Sequence, residues 1–333
     1  MGSEMCIRDR QAADRWDPVA LRVTKDLASL HIARNELDRA NQIYSETIPK
    51  LVASLGSTHP QTLTAKHGEA LVFFSQGDIK LAGETLASVL AEQQKQLGAA
   101  HPSTLSTMHN LALAKKALGQ LSHAEQLLAE ELELRRKNFG EDHRTTQQAT
   151  SSLAFFFLER GEFAKAIPHY KSLAGTATLE TDSDSVTAWL MLGFCQFKAS
   201  DYESAASTLE TVKDASEKLP PPWMQYIVTS LLGEVYWKLD RRHEGEDVML
   251  AGYEGLVGYA AEIPPRWQPM GLRAATRRLA EFYESADTEK LRDRASVYRD
   301  ELKQLQRETL EHQELRGQAA EAQVRKTEDG TNN

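Results

Sequence analysis

The nine residues LGSTHPQTL (Leu55–Leu63) return as LGAAHPSTL (Leu97–Leu105), so that Gly56 and Gly98 stand 42 positions apart. A fixed period of this size permits few architectures, because each unit must bury its apolar face against the next copy of itself. The register runs on in both directions. Gly140 follows Gly56 and Gly98, His143 follows His59 and His101, and the backward extension lands on Asp14 and on DPVAL (Asp17–Leu21). A second marker runs alongside: Ala28, Ala70, Ala112 and Ala154, each followed twelve residues later by Ala40, Ala82, Ala124 and Ala166. Four units are therefore in strict phase. After Asp182 the unit length drifts, yet Gly193 and Ala205 keep the twelve-residue interval, as do Gly233 and Gly245.

Within one unit, TLSTMHNLALAKKALG sets Leu105, Met108, Leu111, Ala112 and Leu118 on one helical face. The next stretch, SHAEQLLAEELELRRKNFG, does the same with Ala124, Leu127, Leu128, Glu131, Leu132 and Phe139. The spacing predicts two helices per unit, joined by a tight turn at Asn35, Gly77, Gly119 or Gly161. The small markers suit close helix contact, where a bulkier residue costs about 1–3 kcal/mol in strain. LGxxHPxTL is then the joint between units. Its glycine is expected to end a helix in the left-handed conformation, its histidine (His59, His101) to sit at or near the next N-cap, and its proline to open the helix, with Thr62 and Thr104 in the first turn. LPPPW (Leu219–Trp223) and IPPRWQP (Ile263–Pro269) interrupt the later helices.

Around the later markers stand Trp189, Leu192 and Gly193, then Leu232, Gly233 and Tyr236, then Leu279, Ala280 and Tyr283. This W-x-x-L-G/A-x-x-Y spacing, with a small residue twelve further on, resembles the tetratricopeptide repeat. The 42-residue form with G-x-x-H-P-x-T-L and Asn110-Leu111-Ala112 is similar to the repeats of kinesin light chains. The resemblance runs from about Asp14 to Leu302. It implies an all-α fold, a right-handed superhelical solenoid of antiparallel helix pairs, whose concave groove, lined by first helices, holds a peptide or partner segment. It implies groove contacts at Lys25, His67, His109, Asn110, Leu113, Lys116 and Ser151. In similar repeats an Asn two positions before the small marker holds the ligand backbone. Here that residue is Asn110 alone, the equivalent positions being Asp26, Gly68, Ser152 and Met191.

Residues 1–10, MGSEMCIRDR, lack the apolar core of a signal peptide. MCIRDR is similar to a translated sequencing adapter, so these residues are expected to be a non-native extension, with the native sequence opening at Gln11 inside a longer protein. Residues 11–181 are expected to form the four in-phase repeats, residues 182–303 about three divergent ones, and residues 304–333 a polar helix and a disordered tail.

A net charge of −9 and a pI near 5.7 argue against a general nucleic-acid binder, which needs a basic face to neutralise phosphates. LAFFFL (Leu153–Leu158) and WLMLGF (Trp189–Phe194), the longest apolar runs, fall far short of the ~20 residues that span a bilayer. With only Cys6 and Cys195, neither a disulfide framework nor a cysteine-rich metal site is available, and a cytoplasmic location is expected.

The pairs His59/His67 and His101/His109 share one interval and are read as caps and groove-facing polar groups, not metal ligands. Asp182 and Asp184 suggest a calcium loop, but Thr187 stands where glycine is required and Gly193 where glutamate is. Cys195, on an apolar helical stretch, is read as a buried structural thiol, and Phe155, Phe156 and Phe157 as inter-repeat core, with Phe155 alternatively lining the groove. Phosphate-loop, zinc-protease and nucleophile-elbow patterns do not occur.

The expectation is a non-catalytic scaffold for a protein or peptide partner, with no cofactor and no metal. Its rival is a C-terminal docking arm of a larger bacterial signalling protein such as a serine/threonine protein kinase. LAEFYESADTEKLRDRASVYRDEL loosely resembles the ends of arrays appended to such kinases. Self-association through terminal repeats is a further expectation, since an uncapped end exposes an apolar face.

Overall fold

The computed structural model describes residues 18–176, 183–268, 270–286, 289 and 291–307, and their regular structure is helical throughout. The chain divides into two units, residues 1–156 and 157–333. In the first, α1 (Pro18–Ala33), α2 (Leu37–Leu55), α3 (Pro60–Gln76), α4 (Ile79–Leu97), α5 (Pro102–Ala117) and α6 (Leu121–Phe139) each pack on the next. The first helices also touch one another, α1 against α3 and α3 against α5, and so form one row. The division falls within α7 (Arg144–Glu159).

The turns stand where the period puts them. Asn35, Gly77, Gly119 and Gly161 have φ of 59°, 88°, 73° and 72°. At each, two backbone bonds close the preceding helix: Gly77 N–H donates to Phe74 O and Asp78 N–H to Phe73 O, and the pattern recurs at Gly119 and Gln120, and at Gly161 and Glu162. This pairing satisfies carbonyls that the helix end would otherwise leave bare. Ser200 and Asp240 adopt the same conformation with the same bonds in the second unit.

The joint differs from expectation. Gly56, Gly98 and Gly140 have positive φ, but with ψ of 158°, 159° and 168° they occupy the extended mirror region rather than the left-handed helical one. That region is closed to residues with a Cβ, so the glycine requirement is stricter than a left-handed cap imposes. At the first two joints the Gly carbonyl accepts from a threonine hydroxyl six residues ahead, whereas Gly140 reaches the same conformation although Thr146 Oγ1, the equivalent hydroxyl, has no hydrogen-bond partner among the described residues. Thr62 Oγ1 donates to Gly56 O at 2.8 Å and Thr104 Oγ1 to Gly98 O at 2.9 Å. His59 and His101 are the N-caps, their Nδ1 atoms accepting from Gln61 N–H at 3.2 Å and Ser103 N–H at 3.1 Å. His143 Nδ1 accepts from Thr145 N–H at 3.2 Å although no proline follows it. Gly98→Ala meets no neighbouring atom, so its cost is conformational alone, about 1–3 kcal/mol in a denaturant titration.

All eight marker alanines, from Ala28 to Ala166, are 0% exposed. Glycine at position 68 has its own cause: the ring of Tyr44 lies against it, and a Cβ there would meet the tyrosine ring and hydroxyl. Leu86 and Leu128 stand where Tyr44 does in the following two units, where the positions equivalent to Gly68 are Asn110 and Ser152.

In the second unit, α8 (Phe163–Thr176), α9 (Ser183–Lys198), α10 (Tyr202–Ser216), α11 (Met224–Lys238), α12 (Arg242–Tyr259) and α13 (Leu272–Glu284) again pack each on the next. The alternate pairs α9 with α11 and α11 with α13 touch as well. A further helix covers residues 291–307. Cys195 is fully buried on α9, and burial pushes its thiol up to about 12, which leaves it protonated and inert at neutral pH. Asp182 and the side chain of Asp184 lie outside the described residues.

Candidate functional site

The 42-residue period stacks equivalent positions of α3, α5 and α7 along one face of the first unit. From α3, His67 Nε2 accepts from Asn110 Nδ2 on α5 at 2.7 Å. Its Nδ1 faces Thr107 Oγ1 at 3.4 Å, and that hydroxyl already donates to Ser103 O at 3.0 Å. The proton therefore belongs on Nδ1, donated to Thr107. This bridge ties two neighbouring first helices and fixes the Asn110 amide through its Nδ2.

One position before Asn110, His109 Nδ1 lies 3.0 Å from Glu131 Oε2, while Arg135 Nε donates to Glu131 Oε1 at 2.8 Å. The Glu131 side chain is 2% exposed. A carboxylate so far from water needs polar and charged neighbours, and removing both would leave a costly bare charge. The trio borders a cleft of about 220 Å3 between α5, α6 and α7, to which Thr145, Gln148 and Ser152 also contribute. About two turns along α5, Lys116 Nζ stands 5.7 Å from the ring centre of Phe155, which is 50% exposed on α7. Leu113 is half-buried and Ser151 exposed, whereas the Lys25 side chain lies outside the described residues.

Of the residues expected in the groove, the structure joins His67 to Asn110 directly and sets His109 in the cleft. Sequence reasoning did not name Glu131, Arg135 or Gln148 as part of this face, and named Ser152 as the position equivalent to Asn110. A signal existed for Glu131, an acid in the apolar row of Ala124, Leu128 and Leu132, which implies a buried partner. Among the described residues no three His, Cys, Asp or Glu side chains converge as a metal site requires. Nor is any of their helices long and apolar enough to cross a membrane.

The family model of the tetratricopeptide repeat matches residues 61–137, the stretch that holds α3 to α6 and their joint. This stretch of the chain consists of tetratricopeptide repeats. Its repeats are similar to the kinesin-light-chain TPR-like repeats of Podosopora anserina, in two structures at 25% and 24% identity with TM-scores of 0.54 and 0.56. Those matches cover 60% and 62% of this chain and 96% and 99% of the others. BtubC (BKLC) from P. vanneervenii is similar at 17% identity and a TM-score of 0.54, over 68% of this chain and 94% of that one. The apo form of RapI, at 12% identity, has a TM-score of 0.60 over 88% of this chain and 99% of its own, a likeness of fold. No curated protein matches the sequence. Tetratricopeptide repeats in general mediate protein–protein interaction, and the fold is typically non-catalytic.

Proposed function

We propose that this chain is a non-catalytic interaction scaffold and that the first-helix face of its first unit holds an extended segment of a protein partner. The observation that carries the reading is the exposed Phe155 ring beneath Lys116, about two turns along α5 from Asn110 and the polar cleft. A half-exposed aromatic next to convergent hydrogen-bonding groups is what a peptide needs: apolar area for affinity, and donors and acceptors for register. Lys116 adds a positive charge for an acidic or C-terminal carboxylate group of the ligand. His67, Leu113 and Ser151 extend the same face on either side.

The test begins with a peptide selected by display on the full chain. Changing Asn110 and Lys116 together to Ala is expected to weaken its binding about tenfold or more, the usual scale for truncating two central contacts. Unchanged affinity with intact helicity would reject the groove assignment.

A further inference from the structure

A cleft of about 390 Å3 in the second unit lies outside the peptide reading. Its walls include the rings of Tyr253 on α12, Tyr283 on α13 and Tyr298 on the 291–307 helix, together with Val297, Arg294 and Glu301. The rings are held in fixed relation. Tyr283 and Tyr298 stack at 5.8 Å and 7°, and Tyr253 stands edge-on to Tyr298 at 5.3 Å. Hydrogen bonds lock two of them further, with Tyr253 Oη donating to Glu301 Oε2 and Tyr283 Oη to Glu246 Oε1, each at 2.7 Å.

Negative charge surrounds these rings. Burial first, then the Glu301, Glu254 and Glu246 carboxylates, raise the Tyr298 phenol above its ordinary value, with Arg294 acting the other way. The guanidinium of Arg294 is already placed over the Tyr283 ring at 5.6 Å and lies 3.3 Å from Glu246. Glu254 and Glu301 have no ion-pair partner among the described residues. Electron-rich ring faces with unpaired carboxylates beside them attract an organic cation, which gains both the ring quadrupole and a counter-charge. Val297, 64% exposed, offers an apolar surface for an aliphatic stem.

We propose that this cleft is a binding site for the ammonium or guanidinium group of a lysine or arginine side chain in a basic partner segment. The chain's own residues 308–333 hold six acidic side chains against three basic ones, Arg316, Arg325 and Lys326, and so are not a basic segment.

An oligolysine peptide titrated calorimetrically into the full chain tests the site. Tyr298→Leu, which removes the ring, and Glu301→Gln are each expected to weaken binding about tenfold, while Tyr298→Phe, which keeps the ring, leaves it unchanged. Glu203→Gln removes an exposed carboxylate on α10 and serves as the control for general attraction to an acidic protein. The proposal is overturned if the wild-type chain does not bind the peptide, or if Glu203→Gln weakens binding as much as Glu301→Gln. Wild-type affinity in a natively helical Tyr298→Leu protein would overturn it equally. Should Tyr298→Leu fail to fold, the comparison of Glu301→Gln with Glu203→Gln decides.

Discussion

Gly252→Ala is expected to destabilise the second unit by at least about 3 kcal/mol, the upper range for forced overpacking, because the clash is with backbone. At this point α12 crosses α11 so closely that a Cβ on residue 252 would stand 2.7 Å from Ser230 Cα and closer still to Ser230 N. The contact continues along the same helix pair. A Cβ on Gly233 would lie 2.5 Å from Met249 N, and one on Gly245 would lie 2.9 Å from both Gly233 O and Trp237 N. Backbone cannot rotate aside as a side chain can, so relief requires the helices to separate and to uncover Met249 and Leu256, each 0% exposed. Gly258→Ala on the same helix is the control. Nothing lies within 4 Å of its added methyl and its backbone is helical, so that change is expected to leave stability unaltered or to raise it by up to about 1 kcal/mol. Thermal unfolding of both variants checks the pair; equal loss in the two would mean that helix propensity rather than interhelical distance sets the cost.

The second large effect is expected at Arg278. Its Nε donates to Glu234 Oε2 at 2.6 Å and its Nη1 to Ser230 Oγ at 3.2 Å, joining α13 to α11 through side chains only 3% and 10% exposed. Arg278→Met leaves the Glu234 carboxylate buried without a counter-charge, at a cost of about 3–5 kcal/mol. Pairing it with Glu234→Leu is expected to recover most of that loss, because two apolar groups of similar size carry no desolvation penalty. A double-mutant cycle in denaturant measures the coupling. If the double variant is no more stable than Arg278→Met alone, the cost is packing around the guanidinium stem and not the bare charge.

Both effects arise on α11, and they differ in how far the sequence announces them. Gly233 and Gly245 are visible as a twelve-residue pair, the same interval as Ala70 and Ala82, so close helix contact is readable even where the period has drifted. Arg278 and Glu234 are not, because their meeting depends on unit length in a stretch where unit length varies. The same division holds in the first unit. Helix pairs, turn positions and histidine caps follow from local pattern, and so the joint is nearly complete in the sequence. Its glycine conformation is not: the extended ψ recurs at Gly56, Gly98 and Gly140, while a threonine hydroxyl meets the carbonyl at Gly56 and Gly98 alone. The candidate groove is legible only as a row of positions. What each position offers depends on the helices around it: Tyr44 from a second helix fills the space at Gly68, whereas Asn110 is met by His67 from the neighbouring first helix. The three-tyrosine cleft draws one ring from each of three helices across some 45 residues, and no motif spacing signals it.

The central functional claim is that a partner segment lies along the first helices of the first unit. Hydrogen–deuterium exchange of the full chain, with and without a display-selected peptide, tests it most directly. The account predicts slowed exchange in α3, α5 and residues 144–155 of α7. Protection confined to α4 and α6, or to the second unit, would contradict it.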